Sequence, residues 1–124
     1  MADHRAEMHR LVLPAHLNQY GFLFGGRLLE WVDEACWIAA SLDYPACRFV
    51  TIAMDDVEFR HSVREGTILS IGCRREREGT TSVTYAVTVS DVHQPGIAEI
   101  FATRVTLVNV DEQGHKTAIV DQRR

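Results

Sequence analysis

The side chains with the clearest potential for chemistry lie in one short segment, residues 16–36, which reads HLNQYGFLFGGRLLEWVDEAC. Gly25 and Gly26 stand where a helical pattern begins, so the first backbone N–H groups of that helix lack partners within it. Together with the helix dipole, these amides form a ready site for an oxyanion or a polarised carbonyl. Asn18 precedes them and could orient a water molecule or hold the loop.

Asp33 adds a carboxylate to this segment. It lies seven residues after Gly26, two turns along the same helix face and about 10 Å further along the axis. A carboxylate on a mostly apolar helix is costly to bury unless it is paired or used. Each feature also has an ordinary explanation, such as a glycine turn, a loop cap at Asn18, a structural hydrogen bond at His16 or a solvated carboxylate. Because all of these features occur at the entrance of one helix, together they indicate a functional site.

The composition is that of one domain, residues 1–124, and it argues against several classes of function. The net charge of -4 disfavours a general nucleic-acid binder. Apolar runs fall far short of the roughly 20 residues that span a bilayer, and the N-terminus is too charged for a signal peptide. Three cysteines without a CxxC pair are expected to be buried thiols in a reducing compartment. We therefore expect a cytoplasmic domain without membrane or nucleic-acid partners.

Hydrophobic periodicity predicts one long helix followed by strands. Apolar residues recur at helical spacing from Leu28 to Ala39, which predicts a buried amphipathic helix over residues 27–42, ended by Pro45. After Pro45, β-branched and alternating segments joined by short turns predict four long strands, within residues 48–62, 67–77, 82–92 and 97–110. Residues 9–13 and 117–120 could each pair with an edge of the sheet.

These elements predict an α+β domain in which one helix is covered by an antiparallel sheet. The strands outnumber what a single helix can cover. One face or edge of the sheet is therefore expected to meet another subunit, in a homodimer or a larger assembly such as a tetramer or hexamer.

The segment at residues 16–35 follows the pattern H-x-N-x-x-G-x-x-F-G-G-x-L-L-x-W-x-D-E-A and resembles the acyl-CoA thioesterases of the hot-dog fold. The likeness is closest to the YciA-like and cytosolic acyl-CoA hydrolase branch. It continues in VTIAMDDVEFRHSVREGT, REREGTTSVTYAVTV and FATRVTLVNVDEQG, and so covers nearly the whole chain from about residue 8. The resemblance implies one long central helix wrapped by an antiparallel sheet of about five strands.

The resemblance also implies hydrolysis of acyl-CoA at a site shared by two subunits. The family's catalytic aspartate matches Asp33 of one subunit, and its site asparagine matches Asn18 of the other. The thioester carbonyl would point at the amides near Gly25 and Gly26. Asp33 would act as a general base on water, or attack directly to form a mixed anhydride. No cofactor is implied beyond the coenzyme A of the substrate, and the six histidines lack a ligand spacing such as HxxxH, so no metal is expected.

Substrate contacts are expected from the motif and from a later basic hairpin. In the motif, His16 and Phe24 are the candidates. In the hairpin, relatives tend to carry a basic residue, glycine and Thr/Ser, which makes the following residues candidates for coenzyme A: Arg74, Arg75, Arg77, Gly79, Thr80, Thr81 and Ser82. The alternative is a solvated hairpin whose arginines pair with Glu76 and Glu78.

Other functions stay open at this point. Arg60 and His61 are weaker ligand candidates. Relatives often have Arg-Pro at these two positions, and His61 departs from that pattern. A hot-dog dehydratase would use a histidine and an acid fourteen positions later, a spacing that His16 and Glu30 have, but the Pro-Gly that usually follows such a histidine is missing. A phenylacetate-type aryl-CoA thioesterase and a non-catalytic acyl-CoA-binding module are further alternatives.

Overall fold

The computed structural model describes residues 5–94, 96 and 99–120. In chain order these form strand β1 (Arg5–Leu11), a short 3-10 turn (Pro14–His16), helix α1 (Gly25–Asp43) and strands β2 (Phe49–Phe59), β3 (Ile68–Glu78), β4 (Ser82–Asp91) and β5 (Phe101–Asn109). The strands form one antiparallel sheet in the order β1-β3-β4-β5-β2, and α1 packs on one face of it. The predicted fold class is confirmed. Within the described ranges, no helix has the length and apolar character needed to cross a membrane.

The ends of several elements differ from the prediction. Helix α1 starts two residues earlier, because the Phe24 carbonyl accepts the N–H groups of Arg27 and Leu28 at 3.0 and 3.2 Å and so includes both glycines in the first turn. The first edge strand is Arg5–Leu11 rather than residues 9–13, and it pairs with β3.

The C-terminal segment was expected to pair with an edge, and it forms one isolated antiparallel bridge, between Val110 and Lys116, besides scattered hydrogen bonds. The N–H of Thr117 donates to the carbonyl of Asn109, and the N–H of Ile119 donates to the carbonyl of Thr80, each at 2.9 Å. These contacts hold residues 116–120 against the turn between β3 and β4, without forming a strand. The last four residues, DQRR, lie outside the described residues.

Buried apolar side chains alternate with more exposed ones along the strands, and the buried face of the sheet packs against α1. Burying a large aliphatic side chain on this face contributes about 1.5–3 kcal/mol. Small residues on the matching face of the helix let it lie close to the sheet. The buried set includes Leu69, Ile71, Val87, Val105 and Leu107 of the sheet and Ala35, Cys36, Ala39 and Ala40 of the helix.

Strand β2 is an outer strand of the sheet, and it carries exposed apolar side chains together with the exposed carboxylates of Asp55, Asp56 and Glu58. Among the described strands it pairs only with β5, and two irregularities in the register bend it, one of them at Asp56, which has φ 57°. Its exposed side chains include Val50, Ile52 and Phe59, the last 49% exposed. An exposed apolar edge strand is a surface on which another strand can pair.

Candidate active site

The loop before α1 is built around the side chain of Asn18. Its Oδ1 atom accepts the N–H groups of Tyr20 and Phe22 at 2.9 and 3.1 Å, and its own backbone N–H donates to the Phe22 carbonyl at 2.7 Å. Gly21 has φ 85°, a conformation that glycine adopts without strain. The carboxamide oxygen is therefore used by the loop, while the side-chain NH₂ makes no hydrogen bond with any described residue. Asn18 holds the loop and keeps a donor for a ligand.

Asn18 and Gly25 line a cavity of about 270 Å³ at the N-terminus of α1. Phe59, at the end of β2, packs so closely on Gly25 that a Cβ there would lie 3.2 Å from its ring. A side chain at position 25 would therefore require the Phe59 ring to shift by a few tenths of an ångström. The remaining wall carries the polar side chains Arg60, His61 and Ser62. Arg60 pairs with two carboxylates, Glu58 at 2.9 Å and Glu99 at 3.6 Å.

Gly26 lies in a second cavity, of about 300 Å³, on another side of the helix start. His16 and Phe24 line this cavity with Glu30, so these candidate substrate contacts are separated from the cavity of Asn18. The Nδ1 atom of His16 accepts the N–H of Leu13 at 3.0 Å, which leaves the ring proton on Nε2 in the neutral imidazole. The ring also packs edge-on against Trp31, with the centroids 4.8 Å apart.

Glu30, the acid of the alternative dehydratase pair, does share that cavity with His16. Its carboxylate pairs with Arg27 at 3.1 Å and stays largely exposed. A general acid or base in a dehydratase would need a carboxyl group that is available to the substrate. The ion pair with Arg27 makes Glu30 a poorer candidate for this role than its spacing from His16 suggests.

Asp33 is half-buried on α1 and faces β2. Its Oδ1 atom accepts the hydroxyl of Thr51 at 2.5 Å, and Oδ2 makes no hydrogen bond with any described residue. The neighbouring Glu34 is exposed and pairs with Arg10. These two adjacent acids therefore differ in environment: a strand positions Asp33 and leaves one of its oxygens free, whereas Glu34 forms an ion pair with Arg10 at the surface.

Thr51 is a candidate site residue that the sequence pattern did not identify. It lies in the run FVTIAM and comes from a strand 18 residues beyond Asp33, so no periodic pattern links the two. The only available signal was a hydroxyl residue inside an apolar strand, at a position that faces the helix. Phe59 and Ser62 were also not singled out, and both line the cavity of Asn18.

Within one chain, Asp33 and Asn18 do not share a cavity. Asp33 is eight residues beyond Gly25, which corresponds to about 12 Å along the helix axis. It is absent from the residues that line the cavity of Asn18. Asn18 and Asp33 therefore lie in different places within one chain.

The basic hairpin between β3 and β4 lies at the opposite end of α1. Arg75 donates to the hydroxyl of Tyr44 at 2.5 Å and to Glu78 at 3.4 Å, and the Tyr44 hydroxyl donates to Glu78. Burial, with the hydrogen bond to Glu78, raises the pKa of Tyr44 to about 12. Arg75 is therefore bound in a structural network. This agrees with the alternative prediction, in which the hairpin arginines pair with neighbouring glutamates. Glu76 pairs instead with Arg104 of β5, at 2.6 Å.

The other hairpin candidates are arranged differently. Arg74 lines a cavity on the outer face of the sheet, and the backbone of the turn from Gly79 to Ser82 closes on itself at 2.7 Å. The carbonyls of Thr80 and Thr81 accept N–H groups from the C-terminal segment and from β5. Contact of this hairpin with coenzyme A stays a prediction. Among the described residues, no group of three or more His, Cys, Asp or Glu side chains could hold a metal ion.

Comparison with known proteins gives a family and close structural relatives. The thioesterase superfamily model matches residues 20–98. Among curated proteins, the chain is similar to mouse acyl-coenzyme A thioesterase 11, with 34% identity over 83 residues. That match covers 67% of this chain and 14% of the mouse protein, so the chain spans only a small part of the length of this relative.

Solved structures share the fold over almost the whole chain. A hexameric thioesterase from Yersinia pestis is 26% identical, with a TM-score of 0.83 over 92% of this chain and 93% of that one. An acyl-CoA hydrolase from Staphylococcus aureus, solved with butyryl coenzyme A, coenzyme A and coenzyme A disulfide, is 24% identical, with a TM-score of 0.81. It is matched over 96% of this chain and 71% of that one.

Proposed function

The chain belongs to the thioesterase superfamily, and we propose that it hydrolyses acyl-CoA thioesters to a carboxylic acid and coenzyme A. A fold by itself hosts many chemistries, so the proposal rests on the site. The observation that carries it is the Asp33 carboxylate, which Thr51 holds on one oxygen at 2.5 Å while the other oxygen is free to act. The similarity to acyl-CoA thioesterases supports the same substrate class.

We propose that two copies of the chain pair along β2 and share each site. Thr51 and Phe59 lie equally far in sequence from Asp55, four residues on either side. An antiparallel pair of β2 strands with a two-fold axis near Asp55 would therefore set Thr51 of one copy opposite the partner subunit's Phe59. Because Thr51 holds Asp33 and Phe59 packs on Gly25, the carboxylate of one copy would then face the helix entrance of the other.

In this arrangement the two copies supply different parts of the chemistry. One provides the helix-entrance amides near Gly25 and Gly26, and the NH₂ group of Asn18. Asp33 of the other takes a proton from a water molecule, whose oxygen attacks the thioester carbonyl carbon. The amides stabilise the oxyanion that forms, which is worth about 3–4 kcal/mol for one well-placed donor. The C–S bond then breaks, and the coenzyme A thiolate leaves and takes up a proton.

We propose that Asp33 acts as a general base, with direct attack on the thioester as the alternative. The hydrogen bond from Thr51 draws electron density from Oδ1 and fixes the orientation of the carboxylate. The free Oδ2 atom can then accept a proton from water, a role that contributes about 10²- to 10⁴-fold to the rate. Direct attack would instead form a mixed anhydride between Asp33 and the acyl group. Label found in Asp33 after a single turnover in ¹⁸O-labelled water would identify the anhydride route, with water attacking the Asp33 carbonyl, because the general-base route places label only in the carboxylic acid product.

For the coenzyme A phosphates, we propose contacts from Arg74, Arg77 and the turn that follows them. Asp43, at the end of α1 beside this hairpin, is ten residues beyond Asp33, which corresponds to about 15 Å. The extended pantetheine arm can cover a distance of this size. Arg75 is left out because it is bound to Tyr44 and Glu78.

We also propose a cytoplasmic, homo-oligomeric enzyme with a role in fatty acid metabolism. Each cysteine of the described chain is a free thiol, which fits a reducing compartment. The Yersinia relative is a hexameric thioesterase, and an even-numbered assembly is what pairing along β2 would build. The mechanism above uses no cofactor besides the coenzyme A of the substrate.

The proposal is tested by release of free thiol from a panel of acyl-CoA esters of different chain lengths. Wild type should hydrolyse at least one ester, and Asp33→Asn should lower kcat by about 10²- to 10⁴-fold. Glu34→Gln is the matched control, because it neutralises the adjacent, exposed acid of the same helix. An inactive wild type, or an Asp33→Asn variant with full activity, would contradict the proposed function.

A further inference from the structure

Two buried thiols face each other between the helix and the sheet. Cys36 of α1 and Cys73 of β3 are 0% and 2% exposed, and their Sγ atoms lie 3.7 Å apart in a hydrogen bond. They are 37 residues apart in sequence, so the fold alone brings them together. We propose that this pair is a redox modification site, which a hydroperoxide converts into a disulfide that links α1 to β3.

The two sulfurs are already close to bonding distance. A disulfide holds its sulfurs at about 2.05 Å, so each sulfur needs to move by somewhat less than about 1 Å. Ala35 and Ala39 belong to the buried face of the helix beside Cys36, and small side chains allow a helix to lie close to a sheet. Neither thiol has another side-chain hydrogen-bond partner among the described residues.

The chemistry balances with a hydroperoxide as the only added reactant. The hydrogen bond to Cys73, together with burial, raises the pKa of the Cys36 thiol, so Cys36 keeps its proton and Cys73 reacts first. The Cys73 sulfur takes OH from the hydroperoxide, which forms a sulfenic acid and releases the alcohol, or water in the case of hydrogen peroxide. The Cys36 sulfur then attacks the sulfenic sulfur, and the second oxygen leaves as water.

A small oxidant reaches this pair through local opening of the structure, because both thiols are buried. Cys73 is among the residues that line the cavity of about 460 Å³ on the outer face of the sheet, beside Gly72 and Ala86. The Cys73 side chain faces α1, so the main chain of the sheet separates this cavity from its sulfur. The third thiol, Cys47, lies elsewhere, where it hydrogen-bonds with the backbone of Val120 at 3.4 and 3.6 Å.

The disulfide would also act on the proposed site, and this part rests on the proposed function. Asp33 lies one helical turn before Cys36, and Thr51 holds it toward β2. Strand β3 is separated from β2 by β4 and β5, so a bond to Cys73 pulls the helix away from Thr51. We expect the oxidised protein to have a kcat about tenfold lower, since a misplacement of about 1 Å costs up to about 10²-fold.

The test treats the full chain with hydrogen peroxide, removes the oxidant and analyses intact mass, peptides and melting. Wild type should lose two hydrogen atoms, yield a peptide that joins Cys36 to Cys73 and melt about 10 °C higher, since the link restricts the unfolded chain. Dithiothreitol should reverse all three changes. Cys47→Ser should behave like wild type, while Cys36→Ala and Cys73→Ser should show no cross-link.

Failure of this inference is distinguishable from failure of the proposed function. Wild type that gains oxygen without the Cys36–Cys73 peptide, or that cross-links only through Cys47, would overturn the modification site whatever its activity. A confirmed cross-link that leaves kcat unchanged would overturn the effect on the site. An inactive reduced protein would contradict the proposed function, and the disulfide would still be judged by mass and melting temperature.

Discussion

The two ends of helix α1 use polar groups in opposite ways. At the N-terminus, Gly25 and Gly26 carry amides without intrahelical partners, and each glycine lines a cavity. At the C-terminus, the N–H of Tyr44 caps the helix on the Ala40 carbonyl at 2.8 Å, and its hydroxyl joins Arg75 and Glu78.

A further hydrogen bond lies at the C-terminal end of α1, where the Tyr85 hydroxyl donates to the Asp43 carboxylate at 2.6 Å. Burial and the bond to Asp43 raise the pKa of Tyr85, so it stays a protonated donor at neutral pH. Polar groups that are already paired stabilise a fold but cannot bind substrate, whereas unpaired donors are available to a ligand. The difference assigns stability to the paired groups at the C-terminal end of the helix and the chemical step to the N-terminal end.

The largest effect at the open end is expected from Asn18→Asp. This change keeps an oxygen that can accept the N–H groups of Tyr20 and Phe22, and it removes the free NH₂ donor. We expect kcat to fall by about 10²-fold while the melting temperature stays within a few degrees of wild type. Asn18→Ala, which removes both functions, should also lower the melting temperature. Full activity in Asn18→Asp would show that Asn18 only stabilises the loop and does not take part in catalysis.

A smaller loss is expected when the support of Asp33 is removed. Thr51→Val deletes the hydroxyl that donates to Oδ1 at 2.5 Å and keeps a side chain of similar shape. Because Asp33 would still be present but less well oriented, kcat should fall about tenfold with KM nearly unchanged. Thr51→Ser restores the donor and should recover most of the rate. Equal losses in the two variants would show that packing, and not the hydrogen bond, matters at this position.

The paired polar groups at the C-terminal end of α1 should affect stability and not the chemical step. Tyr85→Phe removes a buried hydrogen bond to a carboxylate, worth about 1.5–3 kcal/mol, and should lower the melting temperature by on the order of 5–10 °C. The kcat measured well below that temperature should equal that of wild type. A large fall in kcat at an unchanged melting temperature would break the division between the two ends.

The sequence predicted the fold well because its main signals are local. The spacing of apolar residues along α1 and the alternation along β3 and β4 follow from which face of each element is buried. The exact start of α1 was missed by two residues, because a glycine pair has no side chains to extend the apolar pattern.

The candidate site was predictable in part. Asn18, Gly25 and Asp33 stand in one recognisable motif, so the resemblance named them together, although the fold separates Asn18 and Asp33 within a chain. Thr51 was missed because its contact with Asp33 exists only in three dimensions. Arg75 was predicted to contact substrate because it belongs to a basic hairpin. Its hydrogen bond to Tyr44 could not be predicted, because it depends on the packing of the C-terminal end of α1 against that hairpin.

The shared site is the central claim, and mixing two damaged variants tests it most directly. Asp33→Asn and Asn18→Asp are purified separately, mixed in equal amounts, unfolded and refolded together, and assayed for thiol release. If each site takes Asp33 from one copy and Asn18 from the other, half of the random pairs are mixed and each mixed pair has one intact site. Activity should then rise to about a quarter of wild type, far above either parent. A mixture no more active than the mean of its parents would contradict the shared site.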